Sequence, residues 1–498
     1  MWLAASLGYS RSVIRIGVGA VVVAVAFLCA GVAQAELRTT KLARASGASP
    51  YADCPSAAPL VPAAEDEPTI VASRRKPSRV VVAWRQDGGG YRPVSDRAAR
   101  SRDGGRSFGE TFGFEGLTAC DGGPQRYVHG TDPWLAQGAR NTLWFAGLPF
   151  TSGNPGAVGV SRSTDGGASW SPVVFADEDD SELEYDDKPT LVASPRNPDR
   201  AWVSWVKLSF LLPTDLPQPP LNATAYVSRT DDGGSTWSPP VAVIEGGILS
   251  SGLEALFPTE IDRLPGGRLV LTVGRFVPDI GPEGIPCALG ENCPGDVVFE
   301  AYGSDDGGLS WSPSGTVGRA RLSEPPIPGA GGDDNRNLLF STAVTPDGAL
   351  WLTAYELDGE SSSTIRLWRS PDGGRSWQSL PDPQVGRGLR LLPQITGGKS
   401  GLALLWRETI PDRPGWVRWR FAHSKNGRKW EEIGIGKPTD VRPQPNTPAG
   451  RALFLGHYFG LASAARDFLV GVSLGPPQAR QGPTDVFVTR VRVTRAAR

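Results

Sequence analysis

An all-β propeller of four-stranded antiparallel blades is the fold this sequence predicts, and three observations carry the prediction. The first is an eight-residue pattern, Ser163-Thr-Asp165-Gly-Gly167-Ala-Ser-Trp170, which recurs from Ser101 to Phe108, Thr230 to Trp237, Ser304 to Trp311 and Ser370 to Trp377. A shortened sixth copy reads Ser424-Lys-Asn426-Gly-Arg-Lys-Trp430. The second is period: successive copies start 54 to 74 residues apart, a spacing that belongs to propellers and related radial arrays. The third is a pair of strand-like runs ahead of each copy, the first usually opening with a proline. Seven openings for six copies favour seven blades; six blades with an appended C-terminal sheet is the alternative.

Each residue type in the repeat has a mechanical reason. The Ser or Thr and the aspartates Asp103, Asp165, Asp232, Asp306 and Asp372 hydrogen-bond nearby amides and build a tight turn. The glycines supply positive φ. Trp170, Trp237, Trp311 and Trp377 return a large apolar surface to the sheet.

Composition sets the outer bounds. The 498 residues hold 62 Gly and 45 Pro with a single Met, which suits many turns and short strands. Lys and Arg number 51 against 52 acids, so global charge points to neither nucleic acid nor an anionic membrane as partner. Residues 1–35 read as an export signal: Arg11 and Arg15, an apolar run from Ile16 to Val32, then Ala33-Gln34-Ala35 as a small-x-small cleavage site. An uncleaved anchor is the rival reading, since the apolar run is nearly long enough to span. Cleavage leaves a secreted or extracytoplasmic chain without a membrane span, expected as a monomer, with four cysteines. Cys287 and Cys293 pair locally, which leaves Cys54 with Cys120.

The chain then divides into an N-terminal segment, 36–66, and a propeller, 67–498. The blade openings are Glu67-Pro68, Asp132-Pro133, Lys188-Pro189, Phe257-Pro258, Leu339-Phe340, Leu392-Pro393 and Tyr458-Phe459. Partner strands follow at Val80, Thr142, Ala201, Leu269, Leu350, Leu402 and Phe468. The run from Asp485 to Val493 is a third strand with nothing after it, and a segment from Leu37 to Leu42 is available to complete that blade and close the ring. If strands are antiparallel neighbours, the short first turns and the repeat turns share one face. The long connections, such as 114–130, 206–222, 274–297, 315–337 and 436–457, share the other, and that is where a rigid ring places function.

The pattern Ser/Thr-x-Asp-x-Gly-x-Ser/Thr-Trp resembles the Asp-box, or BNR repeat, of the sialidase-like β-propellers, and the resemblance covers roughly residues 65 to 495. It implies a structural turn on the face opposite the active site. It also implies an arginine triad for a substrate carboxylate, a Tyr nucleophile assisted by a Glu, and an Asp acid/base. Asp66-Glu67-Pro68 stands where the resemblance implies Arg-Ile-Pro. Arginines on the long-loop face, among them Arg85, Arg126, Arg275, Arg336, Arg390 and Arg407, are available for a relocated cluster. Tyr458 and Tyr355 are the tyrosine candidates.

Aligning the openings places Asp66, Glu67, Thr131, Asp132, Asp187, Lys188, His457 and Tyr458 on one side of the channel mouth, facing Leu256, Phe257, Leu391 and Leu392. A charged end beside a packing end suits a ligand site. The candidate catalytic set is Tyr458, Asp132 and Glu67, and the candidate ligand-binding set is Asp66, Asp187, Lys188, His457, Arg85 and Arg336. Glu67, Asp132 and Asp187 are the candidate ligands should a cation such as Ca²⁺ bind. The run from Asp177 to Asp187, eight carboxylates in eleven residues, has the oxygen density for Ca²⁺ but not the EF-hand order, and reads equally as a solvated acidic loop. Three functions stay open: a glycan-binding propeller, a sialidase-type glycoside hydrolase, and a non-catalytic propeller that binds a protein partner.

Overall fold

The computed structural model of the chain describes residues 35–51, 54, 64–86, 94–210, 222–246, 248–249, 252–253, 255–279, 295–322, 339–358, 362–442 and 453–495. Residues 1–34, Arg336, Cys287 and Cys293 lie outside them.

Seven antiparallel sheets form seven blades, six of them with their strands in simple sequential order. The inner strands, which line the axis, are Glu65–Ala72, His129–Gln137, Glu184–Ala193, Ala255–Arg263, Ser341–Val344, Arg390–Gly398 and Gly460–Ala464. The last blade is built from both ends of the chain. Asp485–Arg495 pairs on one side with Asp467–Leu474 and on the other with Ala35–Thr39, in register Leu37 to Val493. Ala43–Arg44 pairs with the same strand farther along. Among the described residues the one helical segment is a single 3-10 turn, Ala119–Asp121. Several strands run on into the long connections: Ala201–Ser209, Leu269–Pro278 and Ser312–Leu322 all pass the loop starts read from sequence.

The second strands are apolar on both faces because each blade is sandwiched between two others. Val80, Val81, Val82, Ala83 and Trp84 are all fully buried, Trp205 and Trp406 hold the place of Trp84 in other blades, and Trp144 is buried in the second strand of blade two. The tryptophans that end the repeat turns are only half-buried. Trp170 meets Phe114 edge-on at 5.2 Å, and Trp237 meets Trp144 at 6.4 Å.

The repeat turns close on themselves as their residue types require. Ser163 Oγ accepts the Gly167 N–H at 2.8 Å, Asp165 Oδ1 accepts those of Ala168 and Ser169 at 2.7 and 3.0 Å, and Ser169 Oγ donates to Asp165 Oδ2 at 2.8 Å. In the third copy the Thr236 hydroxyl leads the hydrogen bonds that hold Asp232 down at about 2. Positive φ is only half the reason for the second glycine. At Gly167 (φ +84°) a Cβ would lie 2.4 Å from Val81 Cγ2 of the preceding blade, so the turn needs the vacancy as well as the conformation.

A row of arginines then fastens the five full repeat turns, each to the blade before it. Arg79 donates to Asp165 O (3.0 Å), Arg162 to Gly233 O (3.4 Å), Arg229 to Gly307 O (3.1 Å) and Arg268 to Gly373 O (3.2 Å). Arg490 of blade seven donates to Gly104 O of blade one (3.2 Å), so the same latch spans the point where the ring closes. Near the axis, hydroxyls stitch neighbouring inner strands: Thr69 accepts the Leu135 N–H, Thr190 that of Ile261 and Ser341 that of Ile395.

Cys54 and Cys120 are joined by a disulfide. Beneath it Tyr51 lies over the Arg97 guanidinium and donates its hydroxyl to Asp121, which also accepts from Thr118 and Ser95. This buried network docks the N-terminal segment on the long-loop face of blade one.

Candidate functional site

The prolines that open the inner strands create the site. Proline offers no N–H to the ladder, so pairing with the second strand is interrupted there. The registers jump between Asp66 and Thr69, Thr131 and Trp134, Asp187 and Thr190, Leu256 and Thr259, and Leu391 and Gln394. The residue just before the proline is driven to positive φ: Glu67 at 50°, Asp132 at 58°, Lys188 at 49° and Leu392 at 51°. A side chain held there costs on the order of 1 kcal/mol or more. Three of these four strained residues are charged and stand on adjacent blades at the channel mouth. The bulge re-aims them toward one another.

Their ion pairs are close. Lys188 Nζ lies 3.1 Å from Asp132 Oδ2 and 3.7 Å from Glu67 Oε1. Arg85 Nε pairs with Asp66 Oδ1 at 2.5 Å, and its Nη1 lies 3.7 Å from Glu67 Oε2. His457 gives Glu67 Oε1 its backbone N–H at 3.3 Å and sets its ring Nδ1 at the same distance. Gly456 makes this approach feasible, because a Cβ there would sit 2.7 Å from the Glu67 nitrogen. Asp187 accepts the Lys188 N–H at 2.9 Å. The Lys188 ammonium also lies 4.9 Å from the centre of the Tyr458 ring, a cation–π contact.

Burial and these partners pull the carboxyls apart. Burial pushes Glu67 up, but Lys188 and Arg85 outweigh it and hold the group well below its usual range. Burial wins at Asp66 and Asp187, which rise to about 6 against the opposing charges of Arg85 and Lys188. Asp96 goes furthest. It is fully buried, neither oxygen has a hydrogen-bond partner among the described residues, and burial followed by the charges of Asp132 and Asp121 keeps it protonated well beyond the ordinary carboxylate range. Sequence reading missed Asp96; its position opposite Arg85, which is itself opposite Asp66, makes one cross-strand row of three charges.

Behind the mouth the channel holds a small space of about 30 Å³ bounded by Asp132, Trp134, Lys188, Glu260, Phe340 and Tyr458. A second, of about 140 Å³, lies between Thr69, Thr342, Gln394 and Thr396. Trp134, Glu260, Gln394 and Tyr458 wall both. Glu260, also missed from sequence, accepts the Thr342 hydroxyl at 2.7 Å, and burial raises it to about 8.

The apolar side of the mouth differs from expectation. Leu391 and Leu392 are buried in the core between blades six and seven, and Leu339 and Phe340 take the channel wall. The side chains of Leu256 and Phe257 are not among those described. Tyr355 is fully buried in that same core, which removes it from the mouth. Tyr458 is buried at the wall, with its hydroxyl 3.5 Å from the Pro133 carbonyl and its proton held by burial.

Three of the described arginines are paired away from one another: Arg126 with Glu178 and Asp180, Arg275 with Glu300, and Arg390 with Asp382. The acidic run is organised by a lysine: Lys207 Nζ lies 2.9 Å from Asp177, 3.1 Å from Asp179 and 4.0 Å from Asp186. Between Glu67 and Asp132, likewise, the positive charge present is that of Lys188. No group of three or more His, Cys, Asp or Glu among the described residues is arranged to hold a metal ion.

No protein-family model and no curated protein matches the chain. Solved structures do. A protein of unknown function from Dyadobacter fermentans is 15% identical with a TM-score of 0.44, over 74% of this chain and 96% of that one. A Hadza microbial sialidase is 14% identical with a TM-score of 0.45, over 83% and 76%. An alpha-L-arabinanase from Penicillium chrysogenum, in complex with arabinobiose, is 13% identical with a TM-score of 0.43, over 92% and 98%. Likeness of this degree carries no activity over to this chain.

Proposed function

We propose that this chain is an exported glycan-binding propeller that seats a neutral sugar at the mouth of its central channel. The observation that carries the reading is the state of the two cations there. Arg85 and Lys188 are already paired with Asp66, Glu67 and Asp132, so neither is free to grip a carboxylate. What the mouth offers is ionised acceptors for sugar hydroxyls beside the rings of Trp134 and Tyr458, whose centres are 5.9 Å apart. Export through cleavage after Ala35 is part of the proposal, and the Cys54–Cys120 disulfide supports an oxidising compartment. We read the five full repeat turns as Asp-boxes with a structural role.

A sialidase mechanism has less support. The Tyr458 phenol is held protonated by burial and its hydroxyl faces a carbonyl, where a nucleophile needs a base. A hydrolase using carboxyls alone is the second reading, favoured by the separation of ionised Glu67 from protonated Asp96.

Calorimetry of the mature protein against neutral oligosaccharides tests the proposal. Trp134→Ala is expected to weaken binding at least tenfold without loss of folded signal, and a fluorogenic sialoside is expected to go uncleaved. Sialoside hydrolysis abolished by Tyr458→Phe would overturn it. Turnover of neutral aryl glycosides abolished by Asp96→Asn would favour the second reading.

A further inference from the structure

The sixth repeat turn departs from the other five in a consistent chemical direction. Where they carry Asp it carries Asn426, and it adds Lys425, Arg428 and Lys429. Asn426 Oδ1 still accepts a turn amide, the Arg428 N–H at 3.2 Å. The turn is preserved while its negative charge is removed and three positive charges are added. Beside it stands blade seven, whose fourth strand is the N-terminal segment, so that no turn links its third and fourth strands.

At this place, on the face opposite the channel mouth, an open groove of about 950 Å³ runs across blades five to seven. Lys399, Lys425, Arg428 and Arg466 line it, all exposed. None of the four makes an ion pair among the described residues, whereas Arg126, Arg321 and Arg442 on the other face are all paired. The single acid in the groove, Asp347, lies 3.6 Å from Arg369. Four exposed cations without an ion pair, concentrated in one concavity on a chain whose net charge is -1, make a local positive field.

We propose that this groove binds a linear anionic polysaccharide, its carboxylates or sulfates lying along Lys399, Lys425, Arg428 and Arg466. The groove's aromatic, Trp351, is buried under the turn and only 3% exposed, so there is no platform on which nucleobases would stack. Concavity likewise suits a chain better than a flat bilayer. The groove and the channel mouth open on opposite faces, and the two bind independently.

The test is affinity of the mature protein for polygalacturonate and for dextran sulfate across a salt series, with neutral dextran, a single-stranded oligonucleotide and phosphatidylglycerol vesicles as comparison arms. Expected is binding to one or both polyanions that weakens steadily with salt, and none to neutral dextran. The Lys399→Glu/Lys425→Glu/Arg428→Glu variant should lose at least tenfold in affinity. The milder Lys425→Gln/Arg428→Gln variant should lose severalfold at an unchanged melting temperature, and Arg106→Glu, an exposed change in the first repeat turn, should lose nothing. Failure of both polyanions to bind, equal loss on Arg106→Glu, undiminished binding by the groove variants, or tighter binding to the oligonucleotide or the vesicles would each overturn the proposal.

Discussion

Residue by residue, the unusual feature of the channel is how many carboxyls sit away from water on the inner strands, and each one is a statement about pH. Burial raises Glu260 to about 8, from an ordinary value near 4.5. Between those two values the folded chain holds a proton that the unfolded chain has released, so this group's contribution falls as pH rises through that window. Asp66 and Asp187, raised to about 6, act in the same sense over a narrower window. Glu67 acts in the opposite sense, because its depressed value means its contribution is lost only as pH falls below the usual carboxylate range. Glu260→Gln keeps an acceptor for Thr342 without the ionisation. Its stability relative to the parent should therefore climb from pH 5 to pH 9 in denaturant titrations. A difference that stays flat across that range would show that Glu260 does not carry the effect.

At the scale of the element, the strand and the turn divide the work of holding a blade. Second strands carry the fully buried Trp84, Trp144, Trp205 and Trp406, and the repeat turns carry half-buried tryptophans. Truncation of a core aromatic costs about 3 to 5 kcal/mol, so Trp144→Ala, which removes a fully buried ring shared between blades two and three, is expected in that range. Trp170→Ala should cost clearly less, about 1 to 3 kcal/mol, because its ring is already partly wet. Chemical denaturation of the two variants decides the order. Equal losses would mean that the turn, rather than the strand, sets blade stability.

For the whole molecule the question is how a ring made of one chain stays shut. Blade seven answers it with both chain ends, the Arg490 latch to blade one, and the Cys54–Cys120 bond that fastens the N-terminal segment beyond its strand. The two cysteines are 66 residues apart, and in the chain-entropy account a loop of that length contributes about 4 kcal/mol. The Cys54→Ser/Cys120→Ser variant should lose close to that amount in reversible unfolding, with the blade signal otherwise intact. A loss below about 1 kcal/mol would place closure on the strand pairing and the latch alone.

Much of this was legible in the order of residues because it depends on neighbours along the chain. The repeat turn needs a hydroxyl, a carboxylate and two glycines within a few positions, and the inner strands need alternation after a proline, so blade number and strand order follow from local pattern. The proline before each inner strand was visible too, but its consequence was not. That Glu67, Asp132 and Lys188 are swung to positive φ and meet as ion pairs depends on which blades are adjacent and how far each strand is displaced, neither of which a local pattern encodes. Asp96 and Glu260 were missed for the same reason: each is an ordinary acid in its own strand and unusual only in what the next blade does to its solvation. The second repeat glycine shows both halves in one residue, since its positive φ is a property of the turn, while the side chain that would collide with a Cβ belongs to the neighbouring blade. Sequence determined the blades; only the closing of the ring decided which charges would be left without water at the channel mouth.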